Sequence, residues 1–180
     1  GGLYIPIDGA PSTHILKPDS DRFLGGVPNE AFCLTLARRC GLAVPELTTG
    51  RAGRRSYLLI ERYDRRAVGD DWERLHQEDL CQALGLPPGA KYERNRTGPK
   101  GPSAVDMLAF VRKHALAPDV LTLLDAVVFN ILACNTDAHA KNYSLMVTLG
   151  RPKMAPIYDV MCASVFGGIT VNLAQSIDGK

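Results

Sequence analysis

Short apolar runs separated by turn signals set the rhythm of the first third of the chain. Residues 13–17 read as a strand that stops at Pro18-Asp19. Pro28-Asn29 then opens a helix with Asn29 as N-cap; Phe32, Leu34, Leu36 and Ala37 are its apolar positions and Gly41 ends it. Residues 44–48 and, more clearly, 56–61 are further strands. Residues 1–65 therefore predict strand, helix, strand, strand: a small mixed lobe whose character changes after 61–64. Beyond residue 66 the pattern turns helical. Residues 76–84 predict a helix ending at Gly85, and 86–102, rich in Gly, Pro and basic residues, a long loop. Helices follow over 104–114 and 119–134. In the second, Val120, Leu123, Leu124, Val127, Val128, Ile131 and Leu132 repeat at i, i+3, i+4. After a polar run at 135–142, apolar stretches at 143–149 and 154–158 flank Gly150-Arg151-Pro152 and read as a hairpin. The fold class is α+β, with lobes at 1–65 and 66–180.

Composition narrows the function classes. The 180 residues are 46% hydrophobic, enough for one packed domain or two small lobes. A net charge of +2 does not mark a nucleic-acid binder. The longest uncharged apolar stretch, 120–134, is interrupted by Asp125 and Asn130, so no membrane span or membrane partner is expected. The first residues lack a basic segment followed by an apolar one, so no secretion signal is expected. Five cysteines, an odd number without C-x-x-C spacing, fit buried reduced thiols in a cytoplasmic protein.

The polar residues at element ends carry the chemistry. A strand ends in Lys17, a helix begins at Glu30, a strand ends in Glu61-Arg62-Tyr63, a long helix runs into Asp137 and Asn142, and Asp159 follows an apolar run. Phosphoryl transfer needs phosphates clamped, a metal held and a nucleophile oriented. A strand lysine meets phosphate oxygens and a glutamate on the adjacent helix holds that lysine. One aspartate accepts the hydroxyl proton; an asparagine and a second aspartate are hard oxygen ligands for Mg²⁺. Asp137 and Asn142 have the D-x-x-x-x-N spacing of a protein-kinase catalytic loop, although no His-Arg precedes Asp137 and Val-Met, not Phe-Gly, follows Asp159. A metal-dependent hydrolase using Asp137, His139 and Asp159 is a competing reading, but it leaves Lys17 and Glu30 without a role.

The same departures, with longer phrases, carry a family resemblance. Ser12-Thr-His-Ile-Leu-Lys17, Asn29-Glu30, Glu61-Arg-Tyr-Asp-Arg65, the 75–87 phrase containing Gln-Glu-Asp-Leu-Cys-Gln-Ala-Leu-Gly, Asn135-Thr-Asp-Ala-His-Ala-Lys-Asn142 and Ala155-Pro-Ile-Tyr-Asp159 resemble the hallmarks of HipA-like serine/threonine kinases, toxins of bacterial toxin–antitoxin pairs. The resemblance implies a two-lobed kinase-like fold, cut short at both ends, with ATP and Mg²⁺ as cofactors. Asp137 would be the base; Asn142 and Asp159 would hold Mg²⁺. Lys17, held by Glu30, together with His139 and Lys141 would meet the phosphates, and Glu61, Arg62 and Tyr63 would form the hinge against adenine. It further implies an aminoacyl-tRNA synthetase, often glutamyl, as acceptor, a helix-turn-helix antitoxin as partner, and operator DNA reached mainly through that antitoxin. The alternative is a non-catalytic kinase-fold module that binds an antitoxin or another protein. The phosphate loop carrying an autophosphorylated serine is expected upstream of Gly1. The basic loop with Lys91, Arg94, Arg96 and Lys100 reads as a solvated segment or a docking surface, with Tyr92 its one aromatic.

Overall fold

The computed structural model describes residues 4–21, 24–95, 98–147, 149–170 and 172–177. Arg96 lies outside them. Strands β1 (His14–Pro18), β2 (Leu47–Ala52) and β3 (Arg55–Glu61) form an antiparallel sheet in the order β1-β3-β2, with Lys17 opposite Leu58. Leu58 and Ile60 alternate to one side of the central strand and are buried. Helix α1 (Gly26–Arg39) packs on β2 and β3, burying Val27, Leu34 and Ala37.

The start of α1 corrects the local reading. Gly25, at φ 86°, occupies the N-cap position, and Asn29 lies inside the first turn. The Asp19 carboxylate reaches back to the Gly25 and Val27 N–H groups, each at 3.3 Å, and takes over the capping role. Asn29 instead grips a distant segment. Its Oδ1 accepts from the Cys162 N–H at 2.8 Å and its Nδ2 donates to the Cys162 carbonyl at 3.0 Å. A side chain that can cap can equally satisfy any exposed peptide unit, and here tertiary pairing wins.

Next comes an antiparallel hairpin, β4 (Arg65–Val68) and β5 (Asp71–Arg74), turning through Gly69 at φ 60°. The predicted helix over 76–84 is only half helical and opens as a strand. β6 (Gln77–Asp79) pairs with β7 (Ser144–Met146), and only α2 (Leu80–Ala83) is helical. A capping box fixes that boundary: Asp79 accepts from the Gln82 N–H at 3.0 Å, and Gln82 Oε1 accepts from the Asp79 N–H at 3.1 Å. The 143–158 hairpin exists but is short, pairing β7 with β8 (Lys153–Met154).

Helices α3 (Ala104–His114) and α4 (Ala117–Leu132) pack together, close to their predicted spans. Asp119 lies within α4, where its carboxylate accepts from the Met154 N–H at 2.7 Å and ties the helix to β8. The buried face of α4 is Leu123, Ala126, Phe129 and Asn130, narrower than the apolar stripe; Leu124, Val128 and Leu132 are exposed. One core runs through both halves, including Leu34, Leu58, Leu80, Met107, Val111 and Leu123. No helix among the described residues is long and apolar enough to cross a membrane.

Between β3 and β4 sits a buried ionic knot. Asp64 is 2% exposed; it accepts from Arg62 at 2.9 and 2.7 Å and pairs with Arg65 at 2.8 Å. Burial pushes the Asp64 carboxyl up, but the Arg62 hydrogen bonds and charge, then Arg65, outweigh it and hold the pKa below the ordinary value. Asp64→Asn should destabilise the fold by about 3 kcal/mol at neutral pH, because two guanidinium groups lose their counter-charge. A depressed folded pKa stabilises above the unfolded value, ~3.9, and that contribution is lost as pH falls through the folded value. The gap between wild type and variant in urea denaturation should therefore close as pH falls below ~4. An undiminished gap in acid would refute the ionic origin.

Candidate active site

The sheet and α1 bring three charges together that lie far apart in sequence. Lys17, near the end of β1, donates through Nζ to Glu30 Oε1 and to Asp159 Oδ1, both at 2.7 Å. Glu30 projects from α1 just past its first turn and is only 5% exposed. The clamp between Asn29 and Cys162 fixes the neighbour of Glu30 to the segment that follows Asp159. Asp159 itself is held at φ 59°, a left-handed conformation that Asp and Asn tolerate better than most residues. Burial alone would lower the Lys17 pKa; the Glu30 and Asp159 carboxylates outweigh it and raise it. Burial raises Glu30, and Lys17 pulls it part of the way back. The buried glutamate thus depends on the lysine for its charge.

The polar loop after α4 is built on two asparagines. Asn135 is buried and donates to Asn130 Oδ1 at 2.8 Å and to the Asp159 carbonyl at 3.4 Å, while its own Oδ1 accepts from the Asp137 N–H at 3.3 Å. Asn142 donates to the Asp137 carbonyl at 2.9 Å. The backbone of Asp137 is therefore fixed on both sides, while its side chain is exposed and accepts a hydrogen bond from the Tyr92 hydroxyl.

His139 is buried, with Lys91 Nζ 3.1 Å from Nε2. Burial, then the Lys91 charge, lower its pKa, so the imidazole is neutral at pH 7. An ammonium can only donate, so Nε2 accepts and the proton sits on Nδ1. That Nδ1 has no hydrogen-bond partner among the described residues. Lys141, in contrast, is engaged: it pairs with Asp79 at the cap of α2.

Two hollows flank these groups. The first, about 280 Å³, has Ile15, Pro45 and Ile60 as apolar walls. Glu61, Arg62 and Tyr63 run along it, and Lys17 and Asp159 belong to its lining. Tyr63 donates to Gln77 and stacks on Tyr158 with ring centroids 5.9 Å apart. Tyr158 donates to the Lys141 carbonyl at 2.8 Å. The Arg62 guanidinium is tied to Asp64. The second hollow, about 430 Å³, is lined by Asp137 and Tyr92 with Met161, Phe166 and Ile169.

All the sequence-predicted residues thus have a defined place. Lys17, Glu30 and Asp159 form one cluster; Asp137, His139 and Asn142 share one loop; Glu61, Arg62 and Tyr63 line the first hollow. The sequence reading missed Ile15, Pro45, Ile60, Gln77 and Tyr158 as walls, and Lys91 as the partner of His139. Gln77 and Tyr158 lay inside the quoted phrases and were the available signal.

A strand lysine held by a helix glutamate, with an Asp-x-x-x-x-Asn loop after a long helix, on an α+β frame, defines the protein-kinase-like fold. The Helicobacter pylori proinflammatory kinase CtkA shares it, with a TM-score of 0.61 over 83% of this chain and 52% of its own at 17% identity. Within that class, the HipA-like C-terminal domain matches residues 5–180, and the chain belongs to this family. The serine/threonine-protein kinase toxin HipA of Shewanella oneidensis is 34% identical over 179 residues, covering 94% of this chain and 41% of the relative. Y4mE of Sinorhizobium fredii, which carries a kinase name, is 42% identical over 180 residues, covering 98% of this chain and 42% of its own length. The solved HipA of the Shewanella oneidensis MR-1 toxin–antitoxin system, in complex with HipB and operator DNA, matches with a TM-score of 0.85 at 32% identity. That match covers 93% of this chain and 41% of that one. The chain spans about two-fifths of the length of these relatives.

Proposed function

We propose that this chain carries the catalytic core of a Mg²⁺- and ATP-dependent serine/threonine protein kinase of the HipA toxin type. The observation that carries the reading is the cluster of Lys17, Glu30 and Asp159 on the lining of an apolar-walled hollow. Residues 1–65 and 66–180 are its two lobes. The 280 Å³ hollow takes the adenine, between Ile15, Pro45 and Ile60 and against Glu61, Arg62 and Tyr63. Lys17 meets the phosphates once it exchanges Asp159 for them, and Glu30 keeps it in place. His139, tied to Lys91, and Lys141, tied to Asp79, hold the loop's shape beside the phosphates.

Asn142 and Asp159 would hold the metal. An amide oxygen and a carboxylate oxygen are the hard ligands Mg²⁺ takes, and it is usually held by one or two protein carboxylates plus water and phosphates. Bound Mg²⁺ neutralises charge developing on the phosphate oxygens. Asp137 accepts the proton of a serine or threonine hydroxyl as that oxygen bonds to the γ-phosphorus; the bond to the bridging oxygen breaks and ADP leaves. The 430 Å³ hollow beside Asp137 is open to the acceptor. Family resemblance supports an aminoacyl-tRNA synthetase as that acceptor. The HipA neighbour's complex with HipB and operator DNA supports an antitoxin and DNA as partners; the family resemblance supports a helix-turn-helix antitoxin through which the DNA is reached.

Calorimetric titration with a non-hydrolysable ATP analogue, with and without Mg²⁺, tests the reading. Mg²⁺-dependent binding is expected. Binding without transfer to any protein would favour a non-catalytic module, and no binding by the full-length protein would sink the nucleotide site.

A further inference from the structure

Of three consecutive residues, Lys91 and Tyr92 hold the 135–142 loop and Glu93 holds the segment at Ser176. Lys91 reaches His139 Nε2, Tyr92 donates to the Asp137 carboxylate, and Glu93 accepts from Ser176 Oγ at 2.8 Å. The run is pinned along its backbone. The Lys91 carbonyl accepts from the Ala140 N–H at 3.1 Å and from Gln175 Nε2 at 3.2 Å. The Tyr92 carbonyl accepts from the Gly101 N–H at 3.0 Å, and the Glu93 N–H donates to the Ala174 carbonyl at 3.1 Å. Gly101 lies so close that a Cβ there would stand 2.2 Å from the Ala90 carbonyl oxygen and 2.5 Å from that of Tyr92. The ring is held too, edge-on to His139 at 5.1 Å and with the Lys91 ammonium 5.0 Å from its centroid. Burial first, then the Asp137 carboxylate, raise the phenol pKa, so the hydroxyl stays a donor at any physiological pH.

We propose that Tyr92 is a positioning residue for phosphoryl transfer, locking one carboxylate oxygen of Asp137 so that the other is presented to the acceptor hydroxyl. This rests on Asp137 being the base. The geometry opposes the alternative that Tyr92 is a plug displaced by substrate, because its hydroxyl and ring are themselves held by Asp137, His139 and Lys91. It also supplies a physical counterpart to the absent His-Arg before Asp137: orientation arrives from residues 45 positions upstream instead.

Tyr92→Phe keeps the ring and its contacts and deletes the one hydrogen bond. In the full-length protein, γ-phosphoryl transfer from ATP to dephosphorylated casein, and phosphate release to water, are measured for Tyr92→Phe, Asp137→Asn and the double variant. We expect kcat to fall on the order of 10- to 100-fold for Tyr92→Phe, with KM for ATP and casein and the melting temperature unchanged. In the Asp137→Asn background the second substitution should add nothing, because both act through one group. An unchanged kcat, a raised kcat, a lowered casein KM or a fully additive loss would overturn the proposal. Wild-type rates for Asp137→Asn would instead remove the base reading itself, and the role of Tyr92 with it; phosphate release to water supplies the same comparison where casein is not an acceptor.

Discussion

Asp137→Asn is expected to cut phosphoryl transfer by about 10³-fold while leaving affinity for a non-hydrolysable ATP analogue unchanged. The selectivity follows from how the loop is built. Asn135 and Asn142 hold Asp137 by its N–H and carbonyl, which any residue supplies. The carboxylate is exposed and accepts from Tyr92, a bond an asparagine oxygen also accepts. The amide therefore preserves the loop and removes only the proton acceptor. Asp137 does not line the hollow assigned to adenine, and the cluster of Lys17, Glu30 and Asp159 makes no use of it. Transfer in single-turnover assays at the wild-type rate would take the base role away from Asp137. Loss of analogue binding alongside transfer would mean that the variant damages the site more widely than its geometry predicts.

The candidate site was legible in sequence where a residue's role follows from its position on a local element. Lys17 near a strand end, Glu30 near a helix start and Asp137 after a long apolar helix are placements that periodicity and turn signals expose. What a residue pairs with was not legible, because pairing is set by the folded chain. Nothing local shows that Asp159 would meet Lys17, 142 positions away. The strongest local signal for capping, Asn29, belonged to a residue whose side chain instead clamps Cys162. Short strands were lost for the same reason. Gln77–Asp79 has no alternation long enough to read, and becomes a strand because Ser144–Met146 lies alongside it. The hairpin of β4 and β5 was missed: its strands are four residues each, and Ala67 and Trp72 facing each other across the turn at Gly69 are too few apolar positions to show an alternation. Helix α4 shows the reverse case. Its apolar stripe was read correctly as a helix, but its buried edge is set by the polar anchor Asn130, which donates to Tyr143 at 3.1 Å and accepts from Asn135.

Asp159 and Lys17 should fail in opposite ways, and the contrast tests the metal assignment. Asp159→Asn removes one carboxylate charge while keeping a residue that tolerates φ 59°, so the backbone at this point survives. Removing a charged partner from a paired site costs ~2–5 kcal/mol, equivalent to a loss on the order of 30- to 4,000-fold in affinity. That loss should fall on the Mg²⁺-dependent part of nucleotide binding. In the absence of Mg²⁺ the variant should bind as well as wild type or better, because Lys17 no longer has to leave Asp159 to meet a phosphate. Lys17→Met removes the phosphate contact itself and strands Glu30, which is buried and loses the ammonium that offsets its burial. Affinity should then drop with and without Mg²⁺ alike, with some loss of stability as Glu30 takes up a proton to avoid an unpaired buried charge. Titrating both variants with the analogue, each with and without Mg²⁺, yields four affinities. Retention of the full Mg²⁺ increment by Asp159→Asn would show that another residue holds the metal, and equal losses in both variants under both conditions would show that the cluster acts as a structural ion pair.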